Sequence, residues 1–248
     1  MKKYSIFMLL SFLTALLATS FYMPQSTSAE EIYGLKYREG TWYRRDTGQS
    51  LEITSTTING CPILNGEYDG GEAAGNGFAK YTITDDNGKT YVFTIGKISG
   101  FPCLIVNRKI PFFPSIEPQY YESINGLYLG MAPRDVINVW GQPTKVLESK
   151  RSDEIKVYYE KQKAVLRFDY NVLTTITLYT NSPCCFDKSG LNCQSPKIQF
   201  DGFYGQFKVY DGNDYIETKV AEHNYEYIII KKSLSGIEHI TLSYFGPM

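Results

Sequence analysis

The sequence predicts an α+β chain that is mostly antiparallel β: a small amino-terminal β-barrel or curled sheet, then a short helix packed on an antiparallel meander. Three observations carry that expectation. Apolar and polar residues alternate in short runs, as in Leu51-Glu52-Ile53-Thr54, which is the period of a half-buried strand. One well-bounded helix signal, Pro133 to Trp140, is followed at once by four strand-length runs. Tyrosine supplies 21 of the 248 residues; it favours strands and joins an apolar ring to a polar tip.

The segment 1–29 reads as an export signal. Lys2 and Lys3 precede an apolar run from Ile6 to Ala18, and Thr27-Ser28-Ala29 offers small residues before Glu30. That run falls short of the roughly 20 residues a membrane span needs. Cleavage is expected near Ala29, giving an extracytoplasmic protein, periplasmic or secreted, with no transmembrane segment left. No cysteine adjoins the junction to carry a lipid. Of 25 basic residues two leave with the leader, so 23 face 26 acidic ones and the mature net charge is −3. A near-neutral chain with interspersed signs has no electrostatic footprint for nucleic acid.

Residues 30–115 are expected to form an all-β domain. Gly40 to Arg44 is a first strand, and a turn at Asp46-Thr47-Gly48 leads to Leu51–Thr54. Gly66 to Gly77, with Gly70, Gly71 and Gly75, reads as a loop. Phe78–Thr84 and Tyr91–Ile95 flank Asp85-Asp86-Asn87-Gly88, a hairpin signal because Asn-Gly accepts positive φ. Cys103–Val106 is a further strand. Pro111-Phe112-Phe113-Pro114 is read as its end, since proline cannot donate to a ladder.

Residues 116–248 are expected to form the second domain, with a helical turn in Pro114–Glu122 that docks Tyr120 and Tyr121. Pro133 suits a first helical turn, and Val136, Ile137 and Trp140 make one apolar stripe. Gly141 suits the left-handed stop and Pro143 prevents continuation. Trp140 is expected to anchor this helix to the meander through Val157, Leu166 or Phe168. Strands are expected at Lys145–Glu148, Ile155–Tyr159, Ala164–Phe168 and Leu173–Leu178, then at Lys197–Phe200, Gln206–Tyr210, Tyr225–Lys231 and Glu238–Phe245. Tyr215–His223 is read as a short helix. The strands at 206–245 echo the meander at 155–180 only loosely.

Gly40-x-Trp42 is similar to the first strand of lipocalin-like and avidin-like barrels, where the tryptophan plugs one end. Gly130-Met131, Val136, Gly141 and Pro143, with the strands after them, resemble the BamE/SmpA outer-membrane assembly lipoproteins and the β-lactamase-inhibitor-protein domain. This covers about residues 124–180. The resemblance implies a short helix on an antiparallel sheet, protein–protein contact in the envelope, and no catalysis. The lipid-bearing cysteine of the lipoproteins is absent, so anchoring does not carry over.

Cys61, Cys103, Cys184, Cys185 and Cys193 are expected to give Cys61–Cys103 and a bridge from Cys193 to one of the vicinal pair, as export permits. Their spacing is poor for zinc. His223 and His239 sit in no nucleophile or metal motif, and no phosphate loop or Gly-x-Ser-x-Gly occurs. Asp85-Asp86, Asp153-Glu154 and Asp211 with Asp214 fall at turns, where aspartate satisfies backbone donors. No cofactor or metal is implied. The sequence thus points to a non-catalytic envelope protein that binds another envelope protein, with Tyr158, Tyr159, Tyr179 and Tyr210 as the candidate face. A small-ligand barrel carrier and a hydrolase built on distant carboxylates are the alternatives.

Overall fold

A computed structural model describes residues 38–69, 78–96, 102–150, 153–221, 224–234 and 236–247. The expected signal peptide, the glycine segment 70–77 and His223 lie outside the described residues. The chain is mostly antiparallel β, with two eight-stranded sheets and two short helices among the described residues. Residues Glu31–Met248 form one compact unit.

The first sheet is a simple meander: β1 (Gly40–Tyr43), β2 (Ser50–Ile53), β3 (Thr57–Ile58), β4 (Cys61–Asp69), β5 (Phe78–Asp85), β6 (Thr90–Gly96), β7 (Leu104–Val106) and β8 (Ile110–Phe112). Tyr43 and Phe113 exchange backbone hydrogen bonds of 2.7 and 2.8 Å, so the last strand returns to the first. The result is a nearly closed barrel. Trp42, Ile53, Ile83, Phe93 and Leu104 are among the side chains buried in its own core. Trp42 also donates from its indole nitrogen to Arg38 O at 2.8 Å.

Turn chemistry sets the hairpins. Asp85 Oδ1 accepts from Asn87 N and Lys89 N at 3.1 and 2.9 Å, closing the β5–β6 turn. Two expectations fail here. Gly66–Asp69, expected to open a loop, is the end of the strand Cys61–Asp69, whose register shifts between Ile63 and Asn65. Pro111 lies within β8 rather than after the last strand. Among the described residues, the side of β8 away from β7 carries no ladder and the chain meets β1 just beyond it at the Phe113 bridge, so the missing N–H of Pro111 costs little.

The second sheet has the order β13-β14-β15-β16-β12-β11-β10-β9. Helix α1 (Pro133–Trp140) leads into β9 (Lys145–Glu148), β10 (Glu154–Tyr159), β11 (Ala164–Asp169) and β12 (Val172–Tyr179). Helix α2 (Lys197–Tyr204) leads into β13 (Lys208–Tyr210), β14 (Asn213–Ala221), β15 (Asn224–Ser233) and β16 (Gly236–Ser243). The two meanders join through their fourth strands. Lys197–Phe200 is therefore helical, not a strand, and Tyr215–Ala221 is strand, not helix. Pro114–Glu122 contains no helix; Tyr120 instead stacks on Tyr128 at 4.6 Å.

The echo in the sequence is a structural repeat. Ile176-Thr177-Leu178 recurs at a fixed offset as Ile240-Thr241-Leu242. The same offset relates Gly126-Leu127 to Gly190-Leu191 and Gly141-Gln142 to Gly205-Gln206. It also matches buried Val136 to buried Phe200. Thr177 lies directly opposite Thr241, with 3.1 Å between their hydroxyls, so a local two-fold axis passes between them.

One face of this sheet is apolar. Val157, Leu166, Ile176, Leu242 and Ile228 follow one another across five strands, each no more than 7% exposed. Each such side chain stabilises the fold by about 1.5–3 kcal/mol relative to exposure. Val136 of α1 and Phe200 and Tyr204 of α2 pack into this core, as do Cys103, Ile105 and Phe113 from the barrel. Trp140 is only partly buried and meets Tyr159 edge-on at 5.3 Å. Its indole donates to Asn125 O at 3.1 Å, and the ring packs against the core cluster that holds Val157, Tyr159, Leu166 and Phe168.

Candidate functional site

Side chains directly opposite in a ladder share a face, so the register assigns the opposite, wetter surface of the second sheet. Its central row reads Lys145, Tyr158, Val165, Thr177, Thr241, Ile229, Tyr215, Lys208. The six inner members are partly exposed and the two terminal lysines are exposed. A neighbouring row carries Tyr179, His239, Lys231, Asn213 and Tyr210. Tyr179 is 44% and Tyr210 55% exposed.

Three of the four tyrosines named from the sequence thus meet on one surface. Tyr159 does not. Adjacent strand residues point to opposite sides, and Tyr159 is buried on the core side, donating to Gly141 O at 3.1 Å. The register adds Tyr215, which a helix over 215–223 hides, and Tyr225, from a strand already expected in the sequence. His239 lies beside Tyr179, with ring centroids 5.8 Å apart. Burial lowers the His239 pKa from its ordinary value.

Of the remaining residues singled out, Gly130 and Met131 precede α1, Val136 is buried within it and Gly141 ends it. Gly130 has φ +97° and donates to Leu173 O at 2.8 Å, while Met131 O accepts from Leu173 N at 2.9 Å. These bonds hold the segment before α1 against β12. Gly141 has φ +80° and ends α1, its N–H reaching Ile137 O at 2.8 Å, and Pro143 follows.

All five cysteines are free thiols in this structure. Cys61 accepts from Asn87 Nδ2 at 3.1 Å, at the β5–β6 turn. Cys103 is fully buried in the core shared with the second sheet, so the pair expected from sequence is not formed. Cys184 and Cys193 are both buried, and Cys193 donates to Leu178 O at 3.3 Å. Burial pushes the Cys193 thiol up to about 11. Cys185 is partly exposed, and its N–H donates to Asn125 Oδ1 at 2.8 Å.

A cleft of about 700 Å³ opens where the Arg44–Asp46 turn, β8 and the Gly130-Met131 segment meet. Arg45 is its central cation. The guanidinium lies 3.7 Å over the Phe113 ring and donates to Ser115 O and Glu117 O at 3.2 and 3.3 Å. Tyr128 lines the same cleft, its pKa raised chiefly by burial.

Two carboxylates lie deeper. Glu122 accepts from Ser123 N, Lys188 N and Tyr204 Oη at 2.9, 3.2 and 2.7 Å. Glu226 Oε2 accepts from Tyr121 N and Glu122 N at 3.1 and 3.2 Å, while its Oε1 has no partner. Burial pushes Glu226 up to about 8. Asp214, from the turn acids, is buried and pairs with Lys232 at 2.8 Å.

No protein-family profile, characterised protein or solved structure matches this chain significantly. These surfaces are therefore what function can be read from.

Proposed function

We propose that this is an exported, non-catalytic module of the cell envelope that presents the outer face of its second sheet to another protein. The observation that carries the reading is the gathering of Tyr158, Tyr179, Tyr210, Tyr215 and Tyr225 on one face of eight paired strands. Tyrosine is enriched at binding hot spots and offers contact area with a polar tip. Helices, barrel and core residues pack against the other face. The BamE/SmpA and β-lactamase-inhibitor resemblance of residues 124–180 points the same way, and the repeat doubles the width of that sheet.

The non-catalytic part rests on how the acids and histidine are used. Glu122 and Glu226 are committed to backbone N–H groups inside the fold, and Asp214 is committed to lysine. His239 stands half-buried on the outer sheet face, with Glu238 3.9 Å away. The small-ligand alternative has its support at the Arg45 cleft, whose volume lies in the usual range for ligand sites.

Tyr179→Ala and Tyr210→Ala are expected to change stability by no more than about 0.5 kcal/mol, as surface substitutions do. Both are expected to weaken capture of the envelope partner by the mature protein. Lowered thermal midpoints with undiminished capture would make these tyrosines structural and sink the reading. Export is tested separately. The extracytoplasmic protein is expected to begin at Glu30 on amino-terminal sequencing, and recovery of Met1 from a membrane fraction would refute it.

A further inference from the structure

The central row of the outer face is palindromic in chemistry. From the Thr177–Thr241 axis outward it reads threonine, β-branched aliphatic, tyrosine, lysine in both directions. We infer that the face takes a two-fold symmetric protein partner, a homodimer of another chain whose axis stands over Thr177 and Thr241. This rests on the proposed function and adds the symmetry and stoichiometry of the partner.

Duplication alone accounts for the middle of the row. Val165 and Ile229 are separated by the same offset as Thr177 and Thr241, so they are equivalent positions of the repeat. It does not account for the tyrosines. The offset carries Tyr158 to Glu222, not to Tyr215, yet the register sets each tyrosine beside its own β-branched residue. The same side chain has been placed at matching distances from the axis by two different routes. Lys145 and Lys208 also match, but both lie on edge strands, where lysine discourages unwanted strand pairing. The tyrosines therefore carry the argument.

The geometry states what the partner must offer. With strands about 4.8 Å apart, Tyr158 and Tyr215 stand five spacings, about 24 Å, from one another. The lysines stand seven spacings, about 34 Å, apart. A matching homodimer presents two identical apolar patches near the first separation and acidic groups near the second. Only the two-fold part of the contact is confined to the central row, because the flanking rows, which hold Tyr179 and Tyr210, break the symmetry: Tyr179 and His239 lie on one side of the axis, Thr175 and Ser243 on the other. A single asymmetric chain would gain nothing from the repetition, whereas a homodimer meets each half-site with the same residues.

The test places the photoreactive residue p-benzoylphenylalanine at position 158 or 215 of the full exported chain, with further sites at 179 and 210. Irradiation and mass spectrometry then read the adducts. Positions 158 and 215 are expected to cross-link the same segment of the same protein, and a chain labelled at both is expected to take up two copies. Tyr158→Ala and Tyr215→Ala should each weaken binding of that partner by about the same factor, roughly tenfold or more for a hot spot. Different segments or different proteins at the two sites would overturn the two-fold inference and leave the face as a docking surface. Adducts to this chain's own peptides would overturn it too, in favour of self-association. Absence of adducts at all four positions would remove the proposed function itself.

Discussion

Gly130→Ala is expected to be the most damaging small substitution in this protein. Gly130 has φ +97°, a region that side chains rarely adopt, which costs on the order of 1–3 kcal/mol. An added Cβ would also lie 3.0 Å from Tyr244 Oη, 3.5 Å from Phe113 and 3.6 Å from Arg45 Nη1. Overpacking of that kind typically costs about 1–3 kcal/mol more. Together about 4 kcal/mol is lost from a total of roughly 5–15 kcal/mol. Gly141→Ala is the control: its φ is +80° but nothing lies within 4 Å of the added atom. It carries the backbone cost alone, on the order of 1–3 kcal/mol. Urea midpoints at unchanged slope measure both. Equal shifts would mean that Tyr244 and its neighbours yield without penalty.

Glu226→Gln is expected to remove the pH dependence contributed by one buried acid. Burial raises the folded-state pKa to about 8, assisted by Glu122 and opposed by Lys188 and by the Glu122 and Tyr121 backbone bonds. Tyr244, whose own pKa is raised by burial, also feels this carboxyl. A raised acid pKa means the folded state binds the extra proton. Stability is therefore fully present below the unfolded value near 4.5 and falls through the interval up to about 8. The slope is about 1.4 kcal/mol per pH unit, so about 3 kcal/mol is lost by pH 7. Glutamine keeps an acceptor for Tyr121 N and Glu122 N but leaves an amide where Oε1 has no partner, at a cost of about 1–3 kcal/mol. The variant should be less stable than the natural protein at pH 5 and more stable at pH 9. Denaturation curves that stay parallel over that range would show that Glu226 is not buried as the structure has it.

Much of the fold is legible locally. The helix at Pro133–Trp140, the four strands after it and the Asn87-Gly88 hairpin are readable because proline, glycine and alternation act over a few residues. Other signals are present but easily missed. Asn59-Gly60 between β3 and β4 is a hairpin turn with both φ values positive, and Pro62 beside it masks the strand that follows. Pro196, the Phe200–Tyr204 spacing and Gly205 mark α2 as clearly as their counterparts mark α1. The internal repeat is present in Ile-Thr-Leu and Gly-Leu pairs, but the identities are too few to stand out without the strands that align them. Tyr215–Ala221 misleads for a physical reason: its Ile216 and Val220 fit a helical stripe, and only pairing with Tyr225–Lys231 makes it a strand.

By itself the sequence determined the class of this protein, its turns, its first helix and an excess of tyrosine suited to a wet sheet face. These follow from backbone preferences and short-range periodicity, which each segment carries alone. Only the tertiary structure decided that β12 and β16 pair, because register between strands so distant in the chain depends on which apolar rows can be buried together. That pairing set Thr177 opposite Thr241, turned Tyr159 inward and Tyr158 outward, and gathered tyrosines from separate strands into one surface. It also decided why Gly130 must be glycine while its counterpart in the repeat is Gln194. At Gly130 the barrel's Phe113 and Arg45 and the last strand's Tyr244 close in on the backbone, and local sequence contains no record of that approach.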